Sequence, residues 1–328
     1  MDARTLVDDA LEISIVGSFS NVGYAIRRGL FVWSDPAPDA LAGRTVLITG
    51  PTSGLGRTSA DAMAALGARI VLVSRSEEKL RRVSDELSER YGAARFPWVV
   101  ADMSSLASVR EAVDQVRITE ARLDVLVDSA GAIHEERRVT EEGMEATFAT
   151  MVVSPFVLIG GLLSMLEQSP HPGRVISVVS GGMYAQPLDL DDLQLEDRDF
   201  NGTLAYARAK RASSALVREW SRRLSGQPLR VNAMHPGWAD TPGLAEALPG
   251  FHRLVGPLLR TPTEGIDTAV WLAADRDAGA PDGRLFLDRR SRPFDRVPAT
   301  RLTPAERRRL WDNVVGLSGG PDPAPELA

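Results

Sequence analysis

The sequence predicts an α/β fold with a doubly wound parallel sheet, forming one domain preceded by a helical extension. Two observations predict it. Short runs that are apolar on both faces alternate with helical segments, which is typical of a parallel sheet covered by helices on both sides. No internal repeat or long linker divides the chain of 328 residues, which is long enough to bury a full core.

The predicted elements follow one another in a regular order. Six apolar runs are interpreted as strands: Thr45–Gly50, Arg69–Arg75, Pro97–Met103, Leu123–Asp128, Arg174–Ser180 and Arg230–His235. The helices predicted between them are Leu55–Leu66, Glu77–Arg90, Glu141–Leu166 and Leu204–Leu224. Near the end of the chain, the sequence predicts an edge strand at Arg284–Asp288 and a helix through Val315, with Thr303 as N-cap and Pro304 as first residue.

The composition excludes several classes of function. A net charge of −6 and a pI near 5.4 provide no basic field for nucleic acid. The chain has no cysteine, which excludes disulfides, thiolate nucleophiles and zinc–thiolate sites. Its four histidines lack His-x-x-x-His spacing, so we expect no metal site.

The N-terminal segment lacks the basic region and apolar core of a signal peptide. Residues 10–33 are lightly charged but too interrupted for a transmembrane span. We favour a helix packed on the body or on a second subunit. The alternative is a membrane-surface helix, with Arg27 and Arg28 at the headgroups and Trp33 at the interface. We expect a cytoplasmic protein, with peripheral membrane contact as that alternative.

A glycine-rich turn, Thr49–Gly56 (TGPTSGLG), lies where the first strand ends and a helix begins. Gly50, Gly54 and Gly56 permit positive φ angles and let bare backbone approach phosphates, while the helix N-terminus supplies oriented N–H groups. In this context the turn indicates a Rossmann-type dinucleotide site rather than an ordinary turn.

The end of the second strand indicates which dinucleotide binds. A carboxylate there would accept the ribose 2′-hydroxyl, but this chain has Ser74 followed by Arg75, whose guanidinium can bind a 2′-phosphate. NADP(H) is therefore preferred over NAD(H); the alternative is a solvated arginine that opens the next helix. Asp102, after the third strand, is a candidate acceptor for the adenine amino group, or else the N-cap of a helix after Met103.

Tyr206 and Lys210 form the second chemical motif. Their i, i+4 spacing places both side chains on one face of a helix. The pair alone also occurs by chance on amphipathic helices. Downstream of a dinucleotide turn, it indicates carbonyl or alcohol chemistry with a nicotinamide cofactor.

Taken together, these motifs resemble the short-chain dehydrogenase/reductase family in order and spacing over roughly residues 43–290. Three longer strings, Ser180–Tyr184, Tyr206–Arg211 and Met234–Gly243, are typical of one group within that family. The resemblance implies an NADP-binding Rossmann-type domain at 43–300 with a substrate loop at about 240–262. The flanking residues themselves predict a helical extension at 1–42 and a C-terminal helix and frayed tail at 301–328.

The resemblance also implies residue roles. Tyr206 would be the general acid in reduction and the base in the reverse direction, Lys210 would stabilise charge on the phenol and bind the nicotinamide ribose, and Ser180 would orient the substrate oxygen. Pro236, Gly237 and Trp238 would shape the nicotinamide pocket, and Thr241 would bind its carboxamide or a phosphate. The full set of cofactor-binding candidates is Thr49, Gly50, Ser53, Gly54, Leu55, Gly56, Ser74, Arg75, Asp102, Met103, Ser129, Ala130, Gly131, Tyr206, Lys210, Pro236, Gly237, Trp238 and Thr241.

The sequence departs from the family pattern at two places. Asp128 and Ser129 stand where asparagines usually support the central sheet, so they need other partners. The asparagine of the proton relay falls at Met151, whose thioether cannot donate a hydrogen bond. This departure puts turnover in doubt but not cofactor binding.

Two functions of different class follow. The first is an NADP(H)-dependent oxidoreductase that interconverts a carbonyl and a secondary or primary alcohol on a lipophilic small molecule, as the apolar run Leu244–Leu259 suggests. The alternative is a catalytically impaired dinucleotide-binding or scaffold protein of the same fold. The family usually pairs subunits through the helices near Glu141–Leu166 and Leu204–Leu224, which makes a homo-oligomer a further expectation.

Overall fold

A mostly parallel sheet forms the centre of the protein. The structure, a computed structural model, describes residues 2–92, 95–196, 199–274 and 282–326. In these ranges the sheet has the order β3-β2-β1-β4-β5-β6-β7-β8, in which only the β7–β8 pair is antiparallel. The strands are β1 (Thr45–Thr49), β2 (Arg69–Ser74), β3 (Trp98–Val100), β4 (Val125–Asp128), β5 (Gly173–Val178), β6 (Leu229–Met234), β7 (Leu285–Leu287) and β8 (Arg290–Arg292). The predicted doubly wound α/β fold is confirmed.

Helices cover both faces of the sheet, as predicted. Their bounds are α1 (Ala3–Ile13), α2 (Ile15–Phe19), α3 (Asn21–Phe31), α4 (Gly54–Ala65), α5 (Glu77–Tyr91), α6 (Leu106–Thr119), α7 (Ala146–Phe148), α8 (Ser154–Glu167), α9 (Gly202–Arg223), α10 (Pro242–Ala247), α11 (Pro249–Val255), α12 (Pro262–Ala274) and α13 (Pro304–Ser318). Val46 and Ile48 of β1 pack with α4, α5 and α12, whereas Leu47 packs on the opposite face with α6, α8 and α9. This alternation buries β1 completely. The strand order of the sheet reverses between β1 and β4. In folds of this class, ligands bind beyond the carboxyl ends of the strands at that point, which is called the ligand edge below.

Three predicted elements differ from the structure. Arg284–Asp288 is not the edge strand, because β8 pairs antiparallel to β7 and forms that edge. The helix considered after Met103 is present as α6, but Ser105 caps it instead of Asp102. The long helix predicted from Glu141 begins only at Ala146, since the carboxylate of Glu145 accepts the N–H groups of Thr147 and Phe148 and starts the first turn there.

The segment Ala146–Glu167 is long and apolar enough to cross a membrane by length and composition alone. However, 72% of its most apolar window is buried inside the protein. It therefore packs as the core helix of this fold.

The N-terminal extension forms three short helices packed on the body. Ser14 and Ser20 cap α2 and α3, and α2 approaches α3 so closely that a Cβ at Gly23 would lie 1.7 Å from the carbonyl oxygen of Gly17. Arg27 is fully buried, which removes it from the headgroup position of the membrane alternative. The extension does expose aliphatic side chains: Leu6, Val7, Ile13, Ile15, Val16, Val22, Ile26 and Val32.

A buried arginine–carboxylate cluster fastens this extension to the sheet edge. Arg27 bonds Asp8 at 2.7 Å, Glu12 at 3.0 Å and Asp288 at 2.8 Å. Arg292 of β8 also bonds Asp8, at 2.8 Å. Removing one member of such a network leaves a buried charge unpaired, so the cluster couples the position of the extension to the β7–β8 turn.

The C-terminal segment also packs on the body rather than fraying over residues 319–326. Trp311 of α13 meets Trp220 of α9 at 4.6 Å and Phe156 of α8 at 4.8 Å between ring centroids. Asp322 accepts hydrogen bonds from the indole of Trp311 and from Arg223. The chain's own C-terminal segment thus packs on part of α8 and α9.

Candidate active site

The glycine turn between β1 and α4 leaves bare backbone at the ligand edge. Gly50 and Gly54 have φ angles of +69° and +51°, which favour glycine. A Cβ at Gly50 would lie 3.1 Å from Cα of Ala130, and one at Gly56 would lie 2.2 Å from the carbonyl oxygen of Gly50. Because Gly50 and Gly56 carry no side chain, the backbone at the N-terminus of the 12-residue helix α4 is not covered by side chains of these two residues. This geometry fits the phosphates of a dinucleotide.

Thr49 joins the turn to the end of β4. Its hydroxyl accepts the N–H groups of Ser129 and Ala130, both at 3.0 Å, and donates to Asp128 at 3.3 Å. Ser177 of β5 donates to the other carboxylate oxygen at 3.5 Å. These are the partners that the departures at Asp128 and Ser129 require. Burial raises the pKa of Asp128 to about 6, against the opposing effect of the Lys210 cation.

The end of β2 places Arg75 at the surface. The arginine is exposed, and Ser76 caps α5 through a hydrogen bond from the N–H of Lys79. Helix α5 begins at Glu77, so Arg75 precedes the cap instead of opening the helix. Within the described ranges no carboxylate forms an ion pair with Arg75, which leaves its guanidinium available to an anion.

Asp102 lies in the turn after β3 but does not cap α6, which begins after Ser105. One of its oxygens accepts both the N–H and the hydroxyl of Ser104, at 2.8 and 2.7 Å. The side chain of Met103 is buried in the main core. The capping alternative for Asp102 is therefore wrong, and Met103 offers only its backbone to the site.

Ser180, Tyr206 and Lys210 lie together beyond β5. Lys210 is buried, donates to the carbonyl of Val178 at 2.8 Å, and holds its Nζ 5.9 Å from the centre of the Tyr206 ring. Ser180 caps the short 3₁₀ turn that follows β5. A Cβ at Gly182 would lie 3.5 Å from Cβ of Ala207 and 3.9 Å from the hydroxyl of Ser180, so the serine loop packs directly on the tyrosine turn of α9.

Met151 occupies the position where the relay asparagine was expected. It lies in a π-helical turn, Ala149–Val153, between α7 and α8. A Cβ at Gly131 would meet its sulfur at 3.1 Å and Nζ of Lys210 at 3.8 Å. The carbonyl of Met151 accepts the hydroxyl of Ser213 at 2.7 Å. Thus an apolar thioether packs beside the lysine. π-Helical turns of this kind are frequent at functional sites.

The loop after β6 approaches the glycine turn from the other side. Thr241 caps α10 through its hydroxyl, and its Cβ and Cγ2 atoms lie 3.6 Å from the position of a Cβ at Gly54. Gly237 has a φ of +72°, and a Cβ there would collide with the guanidinium of Arg260. Trp238 packs edge-on against Phe251 of α11 at 5.3 Å, which brings the predicted substrate segment to this loop.

Three residues that pack at this loop, His235, Phe19 and Arg260, were not among the predicted site residues. His235 is buried, accepts the N–H of Gly237 on Nδ1 at 2.7 Å, and has a pKa lowered to about 3 by burial and by Arg260 and Arg296. Phe19 stacks on its ring at 4.5 Å. His235 belongs to the Met234–Gly243 string, which was the available signal. For Phe19 and Arg260 the sequence offered no signal.

The comparisons agree with this geometry. A family model described as short chain dehydrogenase matches residues 44–190. Human dehydrogenase/reductase SDR family member 12 is 37% identical over 85% of this chain and 87% of its own length, in agreement with the narrower group resemblance. Mouse retinol dehydrogenase 14 is 34% identical over 84% of this chain and 86% of its own length. A Shigella flexneri short chain dehydrogenase, solved in complex with NADP, matches at a TM-score of 0.63 and 25% identity over 77% of this chain and all of its own.

Identity at this level over most of both chains extends beyond the motifs themselves. The chain belongs to the short-chain dehydrogenase/reductase family and is an NAD(P)-dependent oxidoreductase.

Proposed function

We propose that this protein is an NADP(H)-dependent reductase or dehydrogenase that interconverts a carbonyl and an alcohol on a lipophilic small molecule. The observation that carries the proposal is the convergence of Ser180, Tyr206 and Lys210 beside the bare glycine turn. The turn at Gly50 touches Ala130, and the adjacent Gly131 lies against Lys210. Cofactor and proton-transfer groups therefore share one edge of the sheet.

In the reducing direction, Ser180 donates to the substrate oxygen and Tyr206 transfers its phenol proton to that oxygen. The bound nicotinamide supplies the hydride that the carbonyl carbon accepts. Lys210, held by the carbonyl of Val178, places a cation near the Tyr206 ring and stabilises the phenolate that remains. In the alcohol-oxidising direction the same phenolate accepts the hydroxyl proton.

The preference for NADP(H) rests on Arg75. It is an exposed guanidinium at the end of β2, and neither Ser74 nor Ser76 is an acid that would repel a 2′-phosphate. The NADP-bound Shigella relative supports this choice.

The lipophilic substrate class rests on the apolar surroundings of the site. Trp238 packs against Phe251 of α11, which belongs to the apolar run Leu244–Leu259. The similarity to a retinol dehydrogenase supports the same class. In this proposal, residues 43–300 form the catalytic domain. The protein acts in the cytoplasm.

The experiment is NADPH oxidation across a broad panel of carbonyl compounds, with Tyr206→Phe as the paired blank and Tyr91→Phe, on α5 away from the site, as the matched control. We expect oxidation by the wild type and by Tyr91→Phe, none by Tyr206→Phe, and similar NADPH affinity in all three. Turnover that survives in Tyr206→Phe would sink the assignment of the general acid.

One observation favours a second candidate, a dinucleotide-binding protein without turnover. Met151 replaces the relay asparagine, and its carbonyl is already bonded to Ser213. This candidate predicts NADPH binding with no oxidation in any variant. A substrate that supports Tyr206-dependent oxidation would exclude it.

A further inference from the structure

The turn between α2 and α3 reaches into the body beside the loop that follows β6. Phe19 is 5% exposed and belongs to the main core, although it lies in the N-terminal extension. Its carbonyl accepts the N–H of Trp238 at 2.8 Å. The extension therefore contacts a residue assigned to the nicotinamide pocket directly.

Arg260 holds the turn and the loop together. Its Nε donates to the carbonyls of Phe19 and Ser20 at 3.0 and 3.2 Å, and Nη2 donates to the carbonyl of Ser18 at 2.9 Å. The backbone N–H of the same arginine donates to the carbonyl of Trp238 at 2.7 Å. Asp288 pairs with this guanidinium at 2.6 Å, so the arginine is buried but neutralised.

The ring of Phe19 packs where two functional loops meet. It stacks on His235 at 4.5 Å and meets Trp238 edge-on at 6.0 Å. A Cβ at Gly181 would lie 3.2 Å from the ring of Phe19 and 2.7 Å from Nε2 of His235. Gly181 directly follows Ser180, and Trp238 follows Pro236 and Gly237. The ring thus contacts both the loop that orients the substrate oxygen and the loop that lines the nicotinamide pocket.

We propose that Phe19 is a positioning residue for the nicotinamide half of the cofactor site, where its ring packs against both the Ser180 loop and the Trp238 loop and holds them in place. This inference rests on the proposed function, because it takes the Pro236–Thr241 loop as the nicotinamide side. It assigns the N-terminal extension a role in the site itself. A packing residue that only stabilises the fold would affect both halves of the cofactor site alike.

The two halves can be measured separately with two ligands. Adenosine 2′,5′-bisphosphate probes the glycine turn and Arg75 but has no nicotinamide, whereas NADPH contacts both halves. Calorimetric titration with each gives two dissociation constants for the full chain. We expect Phe19→Ala to raise the dissociation constant of NADPH about tenfold and to leave that of the bisphosphate within about twofold.

Two further variants sharpen the comparison. Phe19→Leu keeps most of the volume and should raise the NADPH constant only about threefold, with the bisphosphate unaffected. Val22→Ala alters an exposed residue one turn away in α3 and should change neither constant. Bisphosphate binding itself reports that the sheet and glycine turn are folded in each variant.

The inference is overturned if both constants rise together in the Phe19 variants, or if neither rises. Neither result depends on turnover, so a wild type that binds NADPH without oxidising it contradicts only the catalytic part of the proposed function. If the wild type binds NADPH no more tightly than the bisphosphate, the nicotinamide adds no binding, and both the cofactor assignment and this inference are contradicted.

Discussion

The adenosine half and the nicotinamide half of the cofactor site are built in different ways. In the first, the turn Thr49–Gly56 and the strand-end residue Arg75 lie within one β–α–β unit, and backbone conformation does most of the binding. In the second, Ser180 and Trp238 come from two different loops, Tyr206 comes from helix α9, and Phe19 comes from the N-terminal extension.

The difference has physical consequences. Bare glycine backbone and a helix N-terminus keep their geometry whatever packs at a distance, because local conformation determines them. The nicotinamide half depends on long-range contacts, such as the one from Arg260 to Phe19, 241 positions apart. Mutations outside the family motifs should therefore affect the second half and spare the first.

The largest effect is expected in the nicotinamide half. Lys210→Met removes the buried cation that lies 5.9 Å from the Tyr206 ring, so kcat should fall by about 10²–10⁴-fold while binding of adenosine 2′,5′-bisphosphate stays unchanged. Steady-state rates at saturating NADPH measure this. Lys79→Met, an exposed lysine of α5, is the control. A loss of less than tenfold would remove Lys210 from the proton-transfer machinery.

Asp128 lies where the two halves meet, and it gives a pH-dependent prediction. Its pKa is raised from 3.8 to about 6, so the folded chain keeps a proton that the unfolded chain releases in that window. The stability that this group contributes is therefore present at low pH and is lost as the pH rises through about 6. His235, whose pKa is lowered from 6.5 to about 3, acts with the opposite sign, since its contribution is lost as the pH falls below 6.5.

Asp128→Asn should remove the pH-dependent contribution of Asp128 to the stability of the fold. Between pH 4 and pH 8, the variant should gain about 2 kcal/mol in free energy of unfolding relative to the wild type. Urea unfolding at several pH values tests this, with Asp85→Asn, an exposed carboxyl of α5, as the control. Parallel pH profiles for Asp128→Asn and the wild type would show that this carboxyl ionises normally in the fold.

Arg75 tests the adenosine half. Arg75→Ala removes the guanidinium assigned to the 2′-phosphate, so the dissociation constant of NADPH should rise about tenfold and that of NADH should stay nearly constant. Fluorescence titration measures both. The exposed Arg82→Ala of the following helix should change neither. An equal loss for NADPH and NADH would place the arginine elsewhere on the cofactor.

The smallest effect is expected at Met151. The π-helical turn and the bond from Ser213 to its carbonyl already fix the backbone beside Lys210. Met151→Asn should therefore change kcat by less than about threefold and lower stability, because it buries an amide at a position that is 1% exposed. Rates at saturating substrate and thermal unfolding measure the two effects. A gain above tenfold would mark the natural site as impaired.

Local patterns predicted the fold and the position of the glycine turn between β1 and α4 correctly. Apolar runs identified seven of the strands, β1 to β7, and two of the three glycines of the turn, Gly50 and Gly54, have the positive φ angles that glycine permits. Asp128 was recognised as a departure, but its partners Thr49 and Ser177 became evident only when three strands were aligned.

Other features could not be predicted because no local pattern encodes them. A π-helical turn has no residue signature at Ala149–Val153, and the shift of the helix start depends on Glu145 turning back to cap it. Arg27 looked like a surface residue until Asp8, Glu12 and Asp288 enclosed it. Phe19 likewise acquires its role only from the loops that pack around it.

The most direct test of the proposed chemistry is the transfer of deuterium from NADPH labelled at the reactive C4 position to a carbonyl compound, followed by mass spectrometry of the alcohol. With the wild type we expect one deuterium per alcohol molecule formed, and with Tyr206→Phe no labelled alcohol although NADPH still binds. NADPH that binds the wild type without transferring deuterium to any compound, or label transfer that persists in Tyr206→Phe, would contradict a reductase that works through Tyr206.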